Sequence, residues 1–249
     1  MQDDEIERYA RHLVLKEIGG PGQQKLKAAS VAIVGAGGLG GPAALYLAAA
    51  GVGHIRLIDP DTVSLDNLQR QIQFTTSDAG EPKVARAAAS LSALNPHIRV
   101  EAIDVAFTPD TADALLNDVD LVLDGSDNFE TRFAVNAASL RARVPLVSGA
   151  VGRWTGQVAV FNQASESACY QCYVSEAPPD AETCERVGVV GALTGVVGSM
   201  MALEAIKLIT GAGDPLSNRI WLYDGLSGAS RTIRLSKDPA CKACRDRSV

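Results

Sequence analysis

The segment Val31–Gly40, VAIVGAGGLG, constrains this chain more than any other. An apolar, β-branched run breaks into Gly35-Ala36-Gly37-Gly38-Leu39-Gly40. The G-x-G-x-x-G spacing lets a buried strand turn sharply into a helix. It also lets backbone N–H groups approach a phosphate at the positive end of that helix. An acid, Asp59, closes the next apolar run, HIRLID, at roughly the 20-residue spacing expected of a ribose ligand. As a plain turn residue before Pro60, Asp59 would carry no such meaning, and the spacing favours the ribose role. To this point a dinucleotide site would fit. The next cluster, Asn67-Leu68-Gln69-Arg70-Gln71 followed by Lys83, does not suit one. A hydride-transfer site has no use for it, whereas a triphosphate does. Arg offers a planar fork for two phosphate oxygens and Lys a mobile point charge.

The strand Val31–Val34, a helix over Pro42–Ala50 and a strand over Ile55–Ile58 make one βαβ unit, whose crossover is expected to be right-handed. Ahead of it, apolar positions at Ile6, Tyr9, Ala10, Leu13 and Val14 predict a helix over Asp3–Lys16. Pro82 suits the first turn of a helix running to about Leu94. Strands follow over Ile98–Ile103 and Val119–Leu123, the latter stopping at Asp124-Gly125-Ser126-Asp127-Asn128. A helix through Phe133, Ala137 and Leu140 leads to a strand at Pro145–Val147. Residues 1–150 therefore read as a nucleotide-binding half built on an open, doubly wound sheet. Residues 151–249 read differently. An antiparallel strand, Gly156–Phe161, precedes a loop over Asn162–Arg186, an apolar helix over Ala192–Ile209 ending at Gly211, and strands Ile220–Tyr223 and Arg231–Leu235. With 249 residues, 47% of them hydrophobic, the expectation is one α/β, Rossmann-like domain. Its sheet should be parallel in the first half and antiparallel in the C-terminal section.

Glu204 and Lys207 close the Gly188–Leu203 apolar stretch, so a buried helix is expected there rather than a membrane span. The start, MQDDEIER, lacks the pattern of a signal peptide. A net charge of −6 argues against a nucleic-acid coat. A cytoplasmic protein is expected, with neither nucleic acid nor membrane as a partner.

Four of the five cysteines form two pairs, Cys169-Tyr-Gln-Cys172 and Cys241-Lys-Ala-Cys244. Two C-x-x-C pairs in a reducing compartment point to a structural four-cysteine zinc site with no open coordination position. A disulfide within each pair would close a tight, strained loop. The fifth, Cys184, stands alone.

In an open α/β sheet, ligands bind at the carboxyl ends of the strands. Asp127 and Asn128 fall there. Asp127 is a candidate Mg²⁺ ligand, because a hard cation on a triphosphate takes carboxylate oxygens. Its other reading is an N-cap for the following helix, which Asn128 could equally supply. Asn67 and Gln71 add neutral donors, or cap a turn. The three histidines share no ligand spacing, and neither a nucleophile elbow nor a Walker-type lysine motif occurs.

Taken in order, RYARHLVL at 8–15, GAGGLG at 35–40, DPDTVSLDNLQRQ at 59–71, DAGEPK at 78–83, SDN at 126–128 and the two C-x-x-C pairs resemble the bacterial E1-like adenylyltransferases, the MoeB, ThiF and HesA relatives. CYQC, TCERVGVVG at 183–191 and MALEAIKLITG at 201–211 look most like the MoeB branch. The resemblance runs from Arg8 to Cys244. It implies Mg²⁺- and ATP-dependent adenylation of the C-terminal glycine carboxylate of a small ubiquitin-like sulfur carrier ending in Gly-Gly. On that pattern Gly35, Gly37, Gly38 and Gly40 sit against the nucleotide and Asp59 holds ribose. Asn67, Arg70 and Lys83 bind phosphates, and Asp127, beside Asn128, organises Mg²⁺. Arg11 resembles an arginine that reaches the partner subunit's site, which implies a homodimer with active sites completed in trans. Cys169, Cys172, Cys241 and Cys244 match zinc ligands. Molybdenum cofactor biosynthesis is the expected setting, with the thiazole pathway as the alternative and an NAD-dependent oxidoreductase as the alternative of another class. Three departures stand out. Gly125 replaces a frequent Cys, Gly41 replaces a frequent Ser, and no rhodanese-like extension follows the last cysteine pair, so the sulfur donor is expected to be another protein. Cys184 lies where some relatives carry a thiol that links to the carrier.

Overall fold

A computed structural model describes residues 1–178 and 188–245, so Cys184 lies outside the described residues. Eight strands form one sheet: β1 (Ser30–Val34), β2 (His54–Ile58), β3 (Arg99–Ile103), β4 (Leu121–Asp124), β5 (Leu146–Val151), β6 (Thr155–Phe161), β7 (Arg219–Asp224) and β8 (Ala229–Arg234). Their order is β3-β2-β1-β4-β5-β6-β7-β8. The first five strands are parallel and the last three antiparallel, as the change in patterning near residue 150 predicts. The central strands are buried from Val31 to Val34 and from Leu121 to Asp124, because helices cover both faces of a parallel sheet.

One face packs on α3 (Gly19–Ala28), α4 (Gly40–Ala50), α5 (Lys83–Leu94) and α9 (Gly191–Thr210), through a core including Leu26, Leu47, Leu91 and Met201. The other packs on α6 (Ala112–Leu115), α7 (Phe129–Ala142) and α8 (Tyr170–Tyr173), through Val135, Phe161 and Tyr170. From β1 the chain runs outward to β2 and β3, then returns to place β4 on the opposite side of β1. That reversal opens a crevice at the carboxyl ends of β1 and β4, where ligands bind in such sheets.

Among the described residues, α9 is long and apolar enough by composition to cross a membrane. In the fold it packs one face into the core. Val197, Met201 and Ala205 are buried, and the fully buried Glu204 accepts from the backbone N–H of Leu216 at 2.7 Å and pairs with Lys207 Nζ at 2.5 Å.

Three stretches depart from the sequence pattern, one of them α8, which forms inside the expected Asn162–Arg186 loop. The expected Asp3–Lys16 helix is split into α1 (Asp3–Arg8) and α2 (Ala10–Leu13) at Tyr9, whose φ of −97° and ψ of 12° leave the helical region. Tyr9 is buried and its hydroxyl accepts from Asn95 Nδ2 at 2.8 Å, so a distant contact decides the local backbone. Helix α3 forms despite its Gly-Gly-Pro-Gly start, because Gln23 and Leu26 bury one face.

Candidate functional site

The glycine turn is built by close backbone approach. Gly35 has φ of +89°, and a Cβ there would lie 3.1 Å from the Gly125 carbonyl. A Cβ on Gly40 would lie 1.8 Å from the Gly35 oxygen. No L side chain fits either position without moving the turn.

Asp59, at the end of β2, reaches across to that turn. Its Oδ2 accepts from Ala36 N at 2.7 Å and its Oδ1 from Asp61 N at 2.9 Å. Burial pushes its carboxyl above the usual Asp range, while the Lys83 charge and these two N–H groups pull the other way. Each oxygen keeps acceptor capacity for a hydroxyl. Lys83, buried at the start of α5, donates to Asp61 Oδ2 at 2.8 Å, and Asp61 itself is largely exposed. Arg70 donates from Nη1 to the Asp66 carbonyl at 3.1 Å.

Of the two readings that the sequence left open for Asp127, the helix cap falls to Asn128. Asn128 Oδ1 accepts from Thr131 N at 2.8 Å and caps α7. Asp127 is exposed at the cleft, with only a 3.5 Å contact from Asn128 Nδ2 among the described residues.

Gly35, Gly37, Gly38, Asp59, Arg70, Lys83, Asp127 and Asn128 thus line one cleft of about 230 Å³. Ile58, Phe107 and Val151 add apolar wall. Gly40 does not line it but lies buried behind the turn. Asn67 is buried outside the cleft, its backbone carbonyl accepting from Arg70 N and Gln71 N, both at 3.0 Å. It shapes the turn that carries Arg70. Gln71 does line the cleft. Arg11 is exposed on α2, away from this cleft.

The cleft also contains residues that sequence reasoning missed. Arg132 is buried and donates from Nη2 to the Ser126 carbonyl at 2.6 Å. It stands one helical turn beyond the Asn128 cap, a spacing that could have found it. Phe107 and Thr194 line the cleft from a loop and from α9, with no local signal at all. Below the cleft, Asp124 is wholly buried. Its Oδ1 accepts from Ser126 N and Oγ at 3.0 and 2.6 Å, and its Oδ2 has no hydrogen-bond partner among the described residues. Burial raises its carboxyl well above the usual range.

Toward the C-terminal end of α7 the two cysteine pairs meet. All four Sγ atoms lie within 4.8 Å of one another, with separations of 3.8 Å (Cys169–Cys172), 3.6 Å (Cys169–Cys241) and 3.5 Å (Cys172–Cys244). A tetrahedral ion with metal–sulfur bonds of about 2.3 Å needs sulfurs about 3.8 Å apart. None of the four is in a disulfide. Burial pushes the Cys169 thiol up to about 11, so thiolates here call for a compensating cation. The donor set fits a structural metal such as zinc.

The ThiF family profile matches residues 9–243. The chain is 45% identical to a sulfur carrier protein adenylyltransferase of Thermus thermophilus, over 98% of this chain and 92% of that protein. It is 42% identical to the molybdopterin-synthase adenylyltransferase of Escherichia coli, over 98% of each. In fold it is similar to the crystal structure of E. coli MccB with ATP, with a TM-score of 0.84 and 24% identity, over 96% of this chain and 75% of that one.

Proposed function

The chain belongs to the ThiF family, and from that premise we propose that it uses ATP to adenylate the C-terminal glycine carboxylate of a small ubiquitin-like sulfur carrier, releasing pyrophosphate. Molybdenum cofactor biosynthesis is the setting, supported by the name of the E. coli relative. The observation that carries this reading is the convergence of the glycine turn, Asp59, Arg70, Lys83 and Asp127 on one cleft. A nicotinamide site would leave the last three idle.

The chemistry suits these groups. A carrier carboxylate oxygen forms a bond to the α-phosphorus, the bond from that phosphorus to the bridging oxygen breaks, and the electron pair leaves with pyrophosphate. No general base is needed, because a carboxylate is ionised at neutral pH. The difficulty is gathering two anions, so preorganised positive charge and positioning supply most of the acceleration. The glycine-turn N–H groups and the α4 N-terminus cradle phosphate. Asp59 holds ribose, Ile58 and Phe107 offer a wall for the base, and Arg70 and Lys83 face the phosphates. Lys83 must then share its ammonium between Asp61 and the incoming anion. Asp127 holds the Mg²⁺ that accompanies ATP, an ion that neutralises phosphate charge. Cys169, Cys172, Cys241 and Cys244 hold a structural zinc. Arg11, exposed away from its own cleft, serves the cleft of a second copy in a homodimer. The enzyme works in the cytoplasm.

ATP–pyrophosphate exchange, measured against purified candidate carriers, tests the reading. Exchange should require a carrier ending in Gly-Gly and vanish when the last Gly is removed. Exchange that survives this removal places the acyl group elsewhere. A thiazole-pathway carrier that outperforms a molybdopterin-pathway carrier would move the enzyme to thiamine synthesis. Calorimetric binding of NAD in preference to ATP would sink the adenylation reading altogether.

A further inference from the structure

Helix α7 touches both the cleft and the cysteine cluster along a single stripe. Asn128, Arg132, Asn136 and Leu140 follow one another at four-residue intervals, which places them on one face of a helix. Asn128 caps the helix at the cleft, and Arg132 holds the Ser126 carbonyl, closing the Gly125–Asn128 turn. Asn136 is fully buried. Its Oδ1 accepts from Tyr170 N at 2.9 Å and from Asn162 Nδ2 at 3.3 Å, and its Nδ2 donates to Gln171 Oε1 at 3.4 Å. The two residues between Cys169 and Cys172 are therefore both fastened to it. The Phe133 ring meets the Tyr170 ring with centroids 5.9 Å apart, and Leu140 packs against the cysteine cluster.

This stripe does something neither centre does alone. If the cysteine segment shifts, Asn136 loses partners in a place where water cannot replace them. The helix, rigid through its own backbone bonds, must follow or leave buried polar groups unpaired. Either way the displacement arrives at Ser126 and Asp127. We infer that α7 is a strut through which docking of the Cys169–Cys172 segment fixes Asp127 at the nucleotide cleft, with Asn136 as the positioning residue at the cysteine end. The inference rests on the ATP reading of the cleft.

Coupling of this kind is reciprocal, so it can be read in the unmutated protein. Hydrogen–deuterium exchange is followed with a non-hydrolysable ATP analogue, with and without Mg²⁺. The analogue should protect Gly35–Gly40 in both conditions. Adding Mg²⁺ should further slow exchange at Asp127–Arg132 and, beyond the cleft, at Tyr170–Tyr173. In calorimetry, Asn136→Ala should keep the Mg²⁺-free affinity and lose about tenfold of the gain that Mg²⁺ brings, the low end for removing a group that orients a metal ligand. Phe133→Leu loosens the same joint with little volume lost and should shift the gain the same way, less far. A merely structural role for Asn136 would lower stability without moving the Mg²⁺-dependent part. Protection at Gly35–Gly40 with no change at Tyr170–Tyr173, or a wild-type Mg²⁺ gain in either folded variant, overturns the strut. No protection at Gly35–Gly40 points instead to failure of the ATP reading.

Discussion

Asp127 and Asn128 are adjacent, both exposed and both polar, yet only Asn128 caps α7, and the proposed division of tasks between them can be measured. Asn128 accepts from Thr131 N at 2.8 Å, satisfying one of the free donors at the start of α7. Asp127 makes only a 3.5 Å contact with its neighbour's amide. Asp127→Ala should therefore leave stability within about 0.5 kcal/mol of wild type, the usual range for a surface substitution that breaks nothing. Its effect on rate should be large. Removing one preorganised electrostatic group from a reaction of this type costs about 10²–10³ in rate, or about 2.7–4 kcal/mol. Asp127→Asn keeps the shape and drops the charge, so it should fall nearly as far. Asn128→Ala should do the reverse. Loss of an N-cap costs about 1 kcal/mol, which for a chain of this size lowers Tm by about 2–4 °C. The rate should fall only as far as the loosened turn misplaces Asp127. Carrier-dependent ATP–pyrophosphate exchange and thermal unfolding, run on all three variants, give the comparison. Exchange within about threefold of wild type for Asp127→Ala would refute the metal-holding role, since one group worth about 2.7 kcal/mol cannot vanish so cheaply. A Tm loss for Asp127→Ala equal to that of Asn128→Ala would show that the two residues share the cap.

Gly40→Ala places a Cβ 1.8 Å from the Gly35 oxygen, so the turn must open by over an ångström. Overpacking of this kind costs about 1–3 kcal/mol or more, and the urea midpoint should fall with an unchanged m-value. Cys241→Ser should abolish stoichiometric zinc, read by atomic emission, and lower Tm, because metal affinity in such sites is folding energy; zinc content equal to wild type would refute the shared centre. The buried Asp124 has a raised carboxyl pKa, so its folded form holds its proton more tightly than its unfolded form. Its stabilising contribution is complete below the unfolded Asp value of about 3.9 and is lost as pH rises through the raised folded value. Asp124→Asn should gain on wild type as pH increases through that window. Parallel urea midpoints for the two proteins across it would contradict the assignment.

The parts of the site legible in the sequence are those whose constraints are local. Gly35 and Gly40 are dictated by a turn of six residues, and two C-x-x-C pairs state their chemistry by spacing alone. Asp59 was legible because the second strand of a βαβ unit must end beside the first turn. The parts that escaped depend on residues far apart in sequence. That Asn67 is buried, with its backbone carbonyl accepting from Arg70 N and Gln71 N in the turn that presents Arg70, is one such feature. The break at Tyr9 is set by Asn95, 86 residues away.

Arg132 and Asn136 escaped for a different reason. Both sit on α7, whose apolar residues Ala134, Val135 and Ala138 dominate any reading of its periodicity as a core helix. Buried polar residues on such a helix look like errors against the pattern, and a reading that ranks faces by hydrophobicity passes over them. Yet a buried polar group without a partner costs about 1–3 kcal/mol, so the partners that such residues do find are informative. Arg132 has the Ser126 carbonyl and Asn136 has Tyr170, Gln171 and Asn162. Ser126 belongs to the cleft, and Tyr170 and Gln171 to the cysteine segment, two centres that the sequence identifies separately. Buried polar positions at four-residue spacing on a helix are therefore a signal in themselves: they mark the direction in which the helix is tied, here from the Gly125–Asn128 turn at the cleft to a cluster of thiols.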